Sequence, residues 1–337
     1  MLEDYWYIAC RSKDLRRTPV SRTIMGRHLV LFRTAAGEVA ALKDRCAHRN
    51  APLSLGKVCE NTLQCPYHGW RYDTHGRIVE IPALAQQGVE EFSAPIDSYS
   101  CMEQQGYVWI CLSSIPADPE PLSFAGLNRA GWTSFHMQTR FAAPVGACLE
   151  NFLDCPHATH VHRGWFRSPT QRKVRATVRT LDDGAEAEYF EEPRERSVVW
   201  SLLSPGQADM QHTDRFIAPA TSRVDYRFSN GMHYIITSSC TPIDACTTEV
   251  FTVVSFRIKW VGSLVKLYFK PLSQFIIKQD VAILSAQQQN IKKFGAADFN
   301  VLDSDLLHVR INEWRTALKE GTAPPAAGES MNVELRI

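Results

Sequence analysis

The chain has 337 residues, with 37 Lys and Arg against 36 Asp and Glu, a formal net charge of +1, 45% apolar and 22% charged residues. That balance is ordinary for a globular protein, and it excludes the strong basic footprint of a nucleic-acid or membrane-surface binder. The length admits two domains. The opening "MLEDYWYIACRSKDL" is acidic where a signal peptide is basic, and the late apolar stretch around 260–277 is broken by Lys266, Lys270 and Pro271 before it reaches the ~20 residues of a spanning helix. The expectation is a cytoplasmic protein whose ten cysteines are thiols or metal ligands rather than disulfides.

Residues 5–112 read as short strands. "RTIMGRHLVLFRT", "EVAALKD", "GRIVEIPAL" and "GYVWICLSS" are apolar and bounded by turn residues. "SSIPADPEPLSFAG" then places Pro116, Pro119 and Pro121 close together and is the linker candidate, dividing the chain into 1–115 and 116–337. Residues 144–162 turn helical. Extended segments return between about 172 and 259. Apolar spacing of three and four marks late helices over 272–294 and 304–320, and "GTAPPAAGES" reads as a loosely held tail.

Two loops in the first domain carry chemistry. "CAHRN" (46–50) and "CPYHGWRYD" (65–73) each offer one thiol and one imidazole: Cys46 with His48, Cys65 with His68. Such a donor set suits zinc or an iron–sulfur cluster. A zinc finger usually separates its cysteines from its histidines, one pair to a loop and one to a helix. One of each per loop, among strands, fits a Rieske 2Fe–2S centre, in which imidazoles replace two thiolates and raise the potential. Pro66 would stiffen the loop, Gly69 would admit close backbone approach and Trp70 would shield the cluster.

"CAHRNAPLSLG…CPYHGWRYDTHGRI" resembles the cluster-binding segment of Rieske-type non-haem iron oxygenases, the superfamily of ring-hydroxylating oxygenase alpha subunits. It is closest in character to their short O- and N-demethylase and monooxygenase branch, such as dicamba, vanillate and caffeine demethylases. A Rieske electron carrier of the respiratory type usually adds a cysteine to each loop; Arg49, Asn50 and Tyr67 stand in those neighbourhoods here.

The second constellation is "ENFLDCPHATHVH" (150–162). Two His and a carboxylate on one face of an iron, with open positions opposite, is how non-haem iron enzymes bind O₂. The family pattern N-x-x-D-x-x-H-x4-H falls on Asn151, Asp154, His157 and His162, and the resemblance makes the two histidines ligands. Helix geometry at ~100° per residue instead favours His157 with His160, so agreement with the family requires the helix to end or bulge between them. The resemblance also implies a late carboxylate. Asp280, among Ile276, Ile277, Val281 and Ile283 and in a D-x-x-x-L-x-x-Q pattern with Leu284 and Gln287, is the candidate; Asp298, Asp303 and Asp305 sit in polar sequence that suits loops and caps. The family's role for Asp154 is to bridge an iron-ligating His157 to the cluster-ligating His68 of a neighbouring subunit.

No G-x-G-x-x-G follows a strand, so NAD(P)H acts through a separate reductase, with or without a ferredoxin between. The resemblance implies an α+β protein: an N-terminal all-β Rieske domain, then a helix-grip (START-like) catalytic domain with an antiparallel sheet and late helices, assembled as a homotrimer. It implies monooxygenation of a small apolar or aromatic molecule, by hydroxylation or demethylation, with O₂ as co-substrate. Ring cis-dihydroxylation is the alternative chemistry, and a Rieske electron-transfer protein without catalytic iron the alternative class. Trp200, Phe216, Tyr226, Phe228, Tyr234 and Phe251 are candidate pocket walls.

Overall fold

Apolar–polar alternation broken by Gly and Pro turns yields eighteen strands and four α-helices among the residues described by the computed structural model: 2–84, 95–165, 173–190, 209–258 and 262–336. The chain forms two compact units. The smaller spans 3–123 together with 243–245; the larger contains 124–242 and 246–337.

In the smaller unit, β1 (Trp6–Arg11), β2 (Val20–Ile24), β3 (Arg27–Arg33) and β4 (Val39–Lys43) are followed by four short strands, β5 (Lys57–Cys59), β6 (Thr62–Gln64), β7 (Arg71–Tyr72) and β8 (Ile78–Glu80), and then by β9 (Ser98–Gln104) and β10 (Tyr107–Cys111). The long strands pair as β1-β10-β9-β4-β3-β2 and the short ones as β5-β6-β7-β8, antiparallel throughout. Val30, Phe32, Leu42, Leu53, Leu63 and Tyr72 form the core, which also contains Cys46 and Cys65. The Pro-rich segment is fastened here rather than loose: Trp6 Nε1 donates to Asp118 O and Gln104 Nε2 to Pro121 O.

The larger unit is one eight-stranded sheet. Its strands are β11 (Thr133–Phe141), β12 (Lys173–Leu181), β13 (Gly184–Phe190), β14 (Met210–Ile217), β15 (Thr221–Phe228), β16 (His233–Asp244), β17 (Thr247–Arg257) and β18 (Ser330–Arg336), in the order β11-β17-β16-β15-β14-β13-β12-β18. Strand β17, "TTEVFTVVSFR", next to the β11 edge, is buried almost end to end, whereas β12, "KVRATVRTL", alternates between buried and more open positions. Helices α1 (Val145–Phe152) and α2 (His157–His160) follow β11; α3 (Gly262–Phe294) and α4 (His308–Glu320) follow β17. Phe269 and Ile276 of α3 pack on Phe135, Met137, Tyr226, Phe228, Tyr234 and Phe256 of the sheet. This is the α+β arrangement expected.

Three differences from the sequence reading are instructive. Strands β11 and β14 contain enough polar residues to escape notice. The tail does not simply trail away, because "SMNVELR" adds β18 to the sheet edge at β12. Helix α3 begins ten residues before the expected start and runs through Pro271. Proline withdraws a donor from the carbonyl four residues earlier, that of Leu267, on a turn whose Leu267 is 68% exposed. The segment "SVVWSLLS", with Trp200, lies outside the described residues. Among the described residues no helix is long and apolar enough to cross a membrane.

Candidate active site

In the smaller unit, turns after β4 and β6 carry the four donors. Cys46 and Cys65 are buried, at 1% and 3% exposure, and all ten cysteines are free thiols. Tyr72 OH lies 3.1 Å from Cys46 Sγ and also accepts the Ala47 N–H. Burial raises the Cys65 thiol, as does the adjacent Cys46, while the N–H groups of Tyr67 and His68 act in the opposite direction. The rings of His48 and His68 are 4.6 Å apart, and Trp70 stacks on His48 at 4.7 Å with an interplanar angle of 2°. His48 Nδ1 is buried without a hydrogen-bond partner. Two sheltered thiols, two neighbouring imidazoles and an orphaned ring nitrogen fit a 2Fe–2S cluster of Rieske type. Gly69 has φ +76°, and an added Cβ would lie 3.1 Å from Pro82 and 3.2 Å from Gln64; glycine is needed for the left-handed turn and for that crowding.

In the larger unit, α1 ends at Phe152 and the one-turn α2 ends at His160. His162 therefore lies beyond the helix, free of its azimuth, and folds back toward His157. Their Nε2 atoms are 3.3 Å apart, and Asp280 Oδ1 of α3 is 3.6 Å from His157 Nε2 and 3.1 Å from His162 Nε2. His160 is exposed. Asp298 and Asp303 are exposed, and Asp305 Oδ2 accepts the Leu302 N–H as a loop cap.

The proton positions follow from the outer partners. His157 Nδ1 donates to the main-chain oxygen of Asp154, and His162 Nδ1 donates to Gln279 Oε1 at 2.8 Å. In the neutral rings both Nε2 lone pairs then face Asp280 Oδ1, which accepts no aligned hydrogen bond. Three acceptors cannot stably face one another in a site this buried, where His162 and Asp280 are each 4% exposed, unless a cation sits between them. Positive charge is favoured at this point: burial opposes charge on Asp280, but imidazoles that carry a proton toward it, in place of a metal, outweigh burial and hold its carboxyl below the ordinary range, and burial likewise opposes charge on His157, which Asp280 outweighs, raising the imidazole. The donor set fits iron(II): two imidazoles and one carboxylate from one side.

A cavity of ≈ 640 Å³ runs beside the triad, lined in part by Asn151, Asp154, His157, Leu284 and Gln287. Burial raises the Asp154 carboxyl; the neighbouring His157 offsets this in part, and Asp214 adds to it. Asn151 Oδ1 is buried without a partner. The sequence reading missed Gln279, although its place beside Asp280 was a usable signal. It also missed the buried pair His212–Asp214, 3.0 Å apart, with His212 stacked between Tyr189 and Tyr226. These three rings and Tyr234 occupy directly opposed positions on β13 to β16. Of the proposed walls, Tyr226, Phe228 and Tyr234 belong to the core under α3, while Phe216 and Phe251 are fully packed elsewhere.

Comparison with known proteins defines the class. Residues 5–100 match the Rieske [2Fe-2S] domain and residues 141–320 the vanillate O-demethylase oxygenase C-terminal domain. The chain belongs to the Rieske non-haem iron oxygenases. It is an oxygenase that uses a 2Fe–2S cluster, a mononuclear iron and O₂, draws electrons from a separate reductase component, and monooxygenates a small organic substrate. It is similar to methylxanthine N1-demethylase of Pseudomonas putida, 26% identical over 95% of this chain and 90% of that protein. It is also similar to the vanillate O-demethylase oxygenase subunit of a Pseudomonas strain, 32% identical over 47% of this chain and 44% of that one. Dicamba monooxygenase bound to 3,6-dichlorosalicylic acid shares the fold, with a TM-score of 0.82 at 23% identity over 95% of this chain and 98% of that one.

Proposed function

We propose that His157, His162 and Asp280 hold the mononuclear iron, that Cys46, His48, Cys65 and His68 hold the cluster, and that the substrate is a small apolar or aromatic molecule that is hydroxylated or loses an O- or N-methyl group. The observation that carries this reading is the convergence of two imidazole lone pairs on a buried carboxylate oxygen with no aligned donor. Bound iron supplies the centre at which O₂ is activated. The chain's residues prepare that centre. The Asp154 main-chain oxygen and Gln279 hold protons on the outer ring nitrogens, so both inner nitrogens are free to ligate. Asp280 contributes the balancing negative charge. The cavity beside the triad, lined in part by Leu153, Val161, Ile283 and Leu284, offers apolar surface to such a substrate. Relatives that act on methylxanthine and on vanillate support demethylation of such a molecule.

The oxygenase works in the cytoplasm as a head-to-tail homotrimer. In that assembly the carboxylate of Asp154, on the cavity wall beside His157, receives His68 of a second copy and orients both imidazoles. Asn151 assists from the preceding turn. Electrons come from NAD(P)H through a reductase, directly or by way of a ferredoxin.

The test is metal analysis followed by product analysis with an NAD(P)H-dependent reductase over a panel of methylxanthines and methoxybenzoates. The expected result is mononuclear iron alongside the cluster, with a product carrying one inserted oxygen or formaldehyde released. A cluster without mononuclear iron refutes the ligand assignment; a cis-diol product refutes the monooxygenation reading.

A further inference from the structure

We infer that a basic groove on the smaller unit, lined in part by Val58, is the docking site of an acidic electron-donor protein. This rests on the cluster assignment above and adds where electrons enter.

The groove has a volume of ≈ 820 Å³ and is lined by Lys13, Arg16, Arg17 and Arg33 against one carboxylate, Glu60. It is a built feature. Arg33 is committed to the scaffold: its Nε donates to Leu15 O at 3.0 Å, one terminal nitrogen donates to Gly37 O, and a bidentate pair at 2.7 and 2.8 Å joins it to Glu103. Those contacts fasten together the 12–17 segment, the 34–37 turn and β9. The other wall is the tip of the β5–β6 hairpin, tied to the same turn by Ala35 N–H donating to Glu60 O at 2.8 Å. Arg16 Nε donates to Lys13 O. Lys13, Arg16 and Arg17 are exposed, and among the described residues none has a carboxylate partner. Asp14 lies in the same turn but not in the groove lining. Three unpaired cations on a braced rim form a persistent positive field, of the kind that steers an acidic protein into contact.

Val58, in the lining, supplies the second observation. Val58 packs against the core that contains both Cys46 and Cys65. It pairs with Leu63, two residues before Cys65, so strand spacings place its Cα within roughly 10 Å of the Cα of that cysteine. The groove thus approaches the cluster from its thiol side. The imidazole side, with exposed His68, Tyr67 and Leu55, is the face assigned above to a second copy, which leaves the groove for the donor. The step is a one-electron transfer: the donor is oxidised by one electron and the cluster reduced by one.

The probe is a reduced plant-type [2Fe–2S] ferredoxin, a small low-potential donor, mixed with the oxidised holoprotein while cluster bleaching is followed. In ~20 mM salt, Lys13→Glu/Arg16→Glu/Arg17→Glu should slow cluster reduction at least ~10-fold, and the difference should close by ~0.5 M salt. Lys292→Glu/Lys293→Glu, exposed in the last turn of α3 and outside both ligand sets, should retain the rate within about twofold. Carbodiimide coupling of the oxidised ferredoxin to the wild type should map to Lys13. Cluster absorbance before mixing reports that each variant is intact. The proposal is overturned if the triple variant keeps the wild-type rate, if the Lys292/Lys293 pair loses as much, or if the cross-links map elsewhere. Wild-type protein without 2Fe–2S absorbance would refute the cluster assignment and this proposal with it, and that failure is visible before any donor is added.

Discussion

Replacing Gln279 with Leu tests the account of the metal centre at a residue that touches no metal. Gln279 Oε1 accepts the His162 Nδ1 proton at 2.8 Å, and the His162 side chain is 5% exposed, so water cannot readily take over. Removing the acceptor leaves a buried N–H unsatisfied, a cost of about 1–3 kcal/mol. The ring can reduce that cost by turning or by moving its proton to Nε2, and either change withdraws the lone pair from Asp280. Loss of the outer partner of a ligating histidine typically weakens metal binding ~10–100-fold. The expected result for Gln279→Leu is therefore an iron(II) affinity lower by one to two orders of magnitude in a chelator competition, with cluster absorbance unchanged. Gln279→Glu, which keeps an acceptor in place, should stay within about tenfold of wild type. If Gln279→Leu binds iron as the wild type does, the orientation of His162 is set by something other than this hydrogen bond, and the argument from converging lone pairs loses one of its two supports.

Alanine at His157, His162 or Asp280 should each abolish mononuclear iron and turnover while the cluster spectrum persists, and His160→Ala should retain both; metal analysis of the four variants decides. Asp154→Asn should keep both metals but slow cluster oxidation during turnover, and mixing subunits defective only at His68 with subunits defective only at His157 should restore some activity, which an active monomer or failure after proven subunit exchange would contradict. Asp225 lies 2.6 Å from His233 Nε2 and 3.3 Å from Arg227 Nε; burial opposes its charge, but these partners outweigh it and hold its carboxyl below the ordinary range. A depressed folded-state value means that the stabilisation is complete above the unfolded value near ~4 and is lost as pH falls through the lower, folded one. Asp225→Asn should thus cost about 1–3 kcal/mol at pH 7 in denaturant unfolding, with the gap to wild type narrowing below about pH 4.

Local chemistry made much of this protein legible in its sequence. Two loops that each pair a thiol with an imidazole announce their use because donor type and spacing are properties of the chain itself. The carboxylate among Ile276, Ile277 and Val281 was conspicuous because an apolar helix face rarely carries an uncompensated charge. Choosing between His160 and His162 was beyond periodicity, since a helical repeat assumes a helix that continues; α2 stops at His160, and only the folded backbone shows His162 turning back. Gln279 was readable as a neighbour of Asp280, but its hydrogen bond to His162, 117 residues away, exists only once α3 packs beside α2. Strand β18 was missed for a related reason. "SMNVELR" has little apolar signal of its own and becomes a strand because β12 offers an open edge of backbone donors and acceptors. The chain by itself thus determined which atoms are available as ligands, while tertiary packing decided which of them meet, because convergence of distant groups depends on where helices end and which faces they bury.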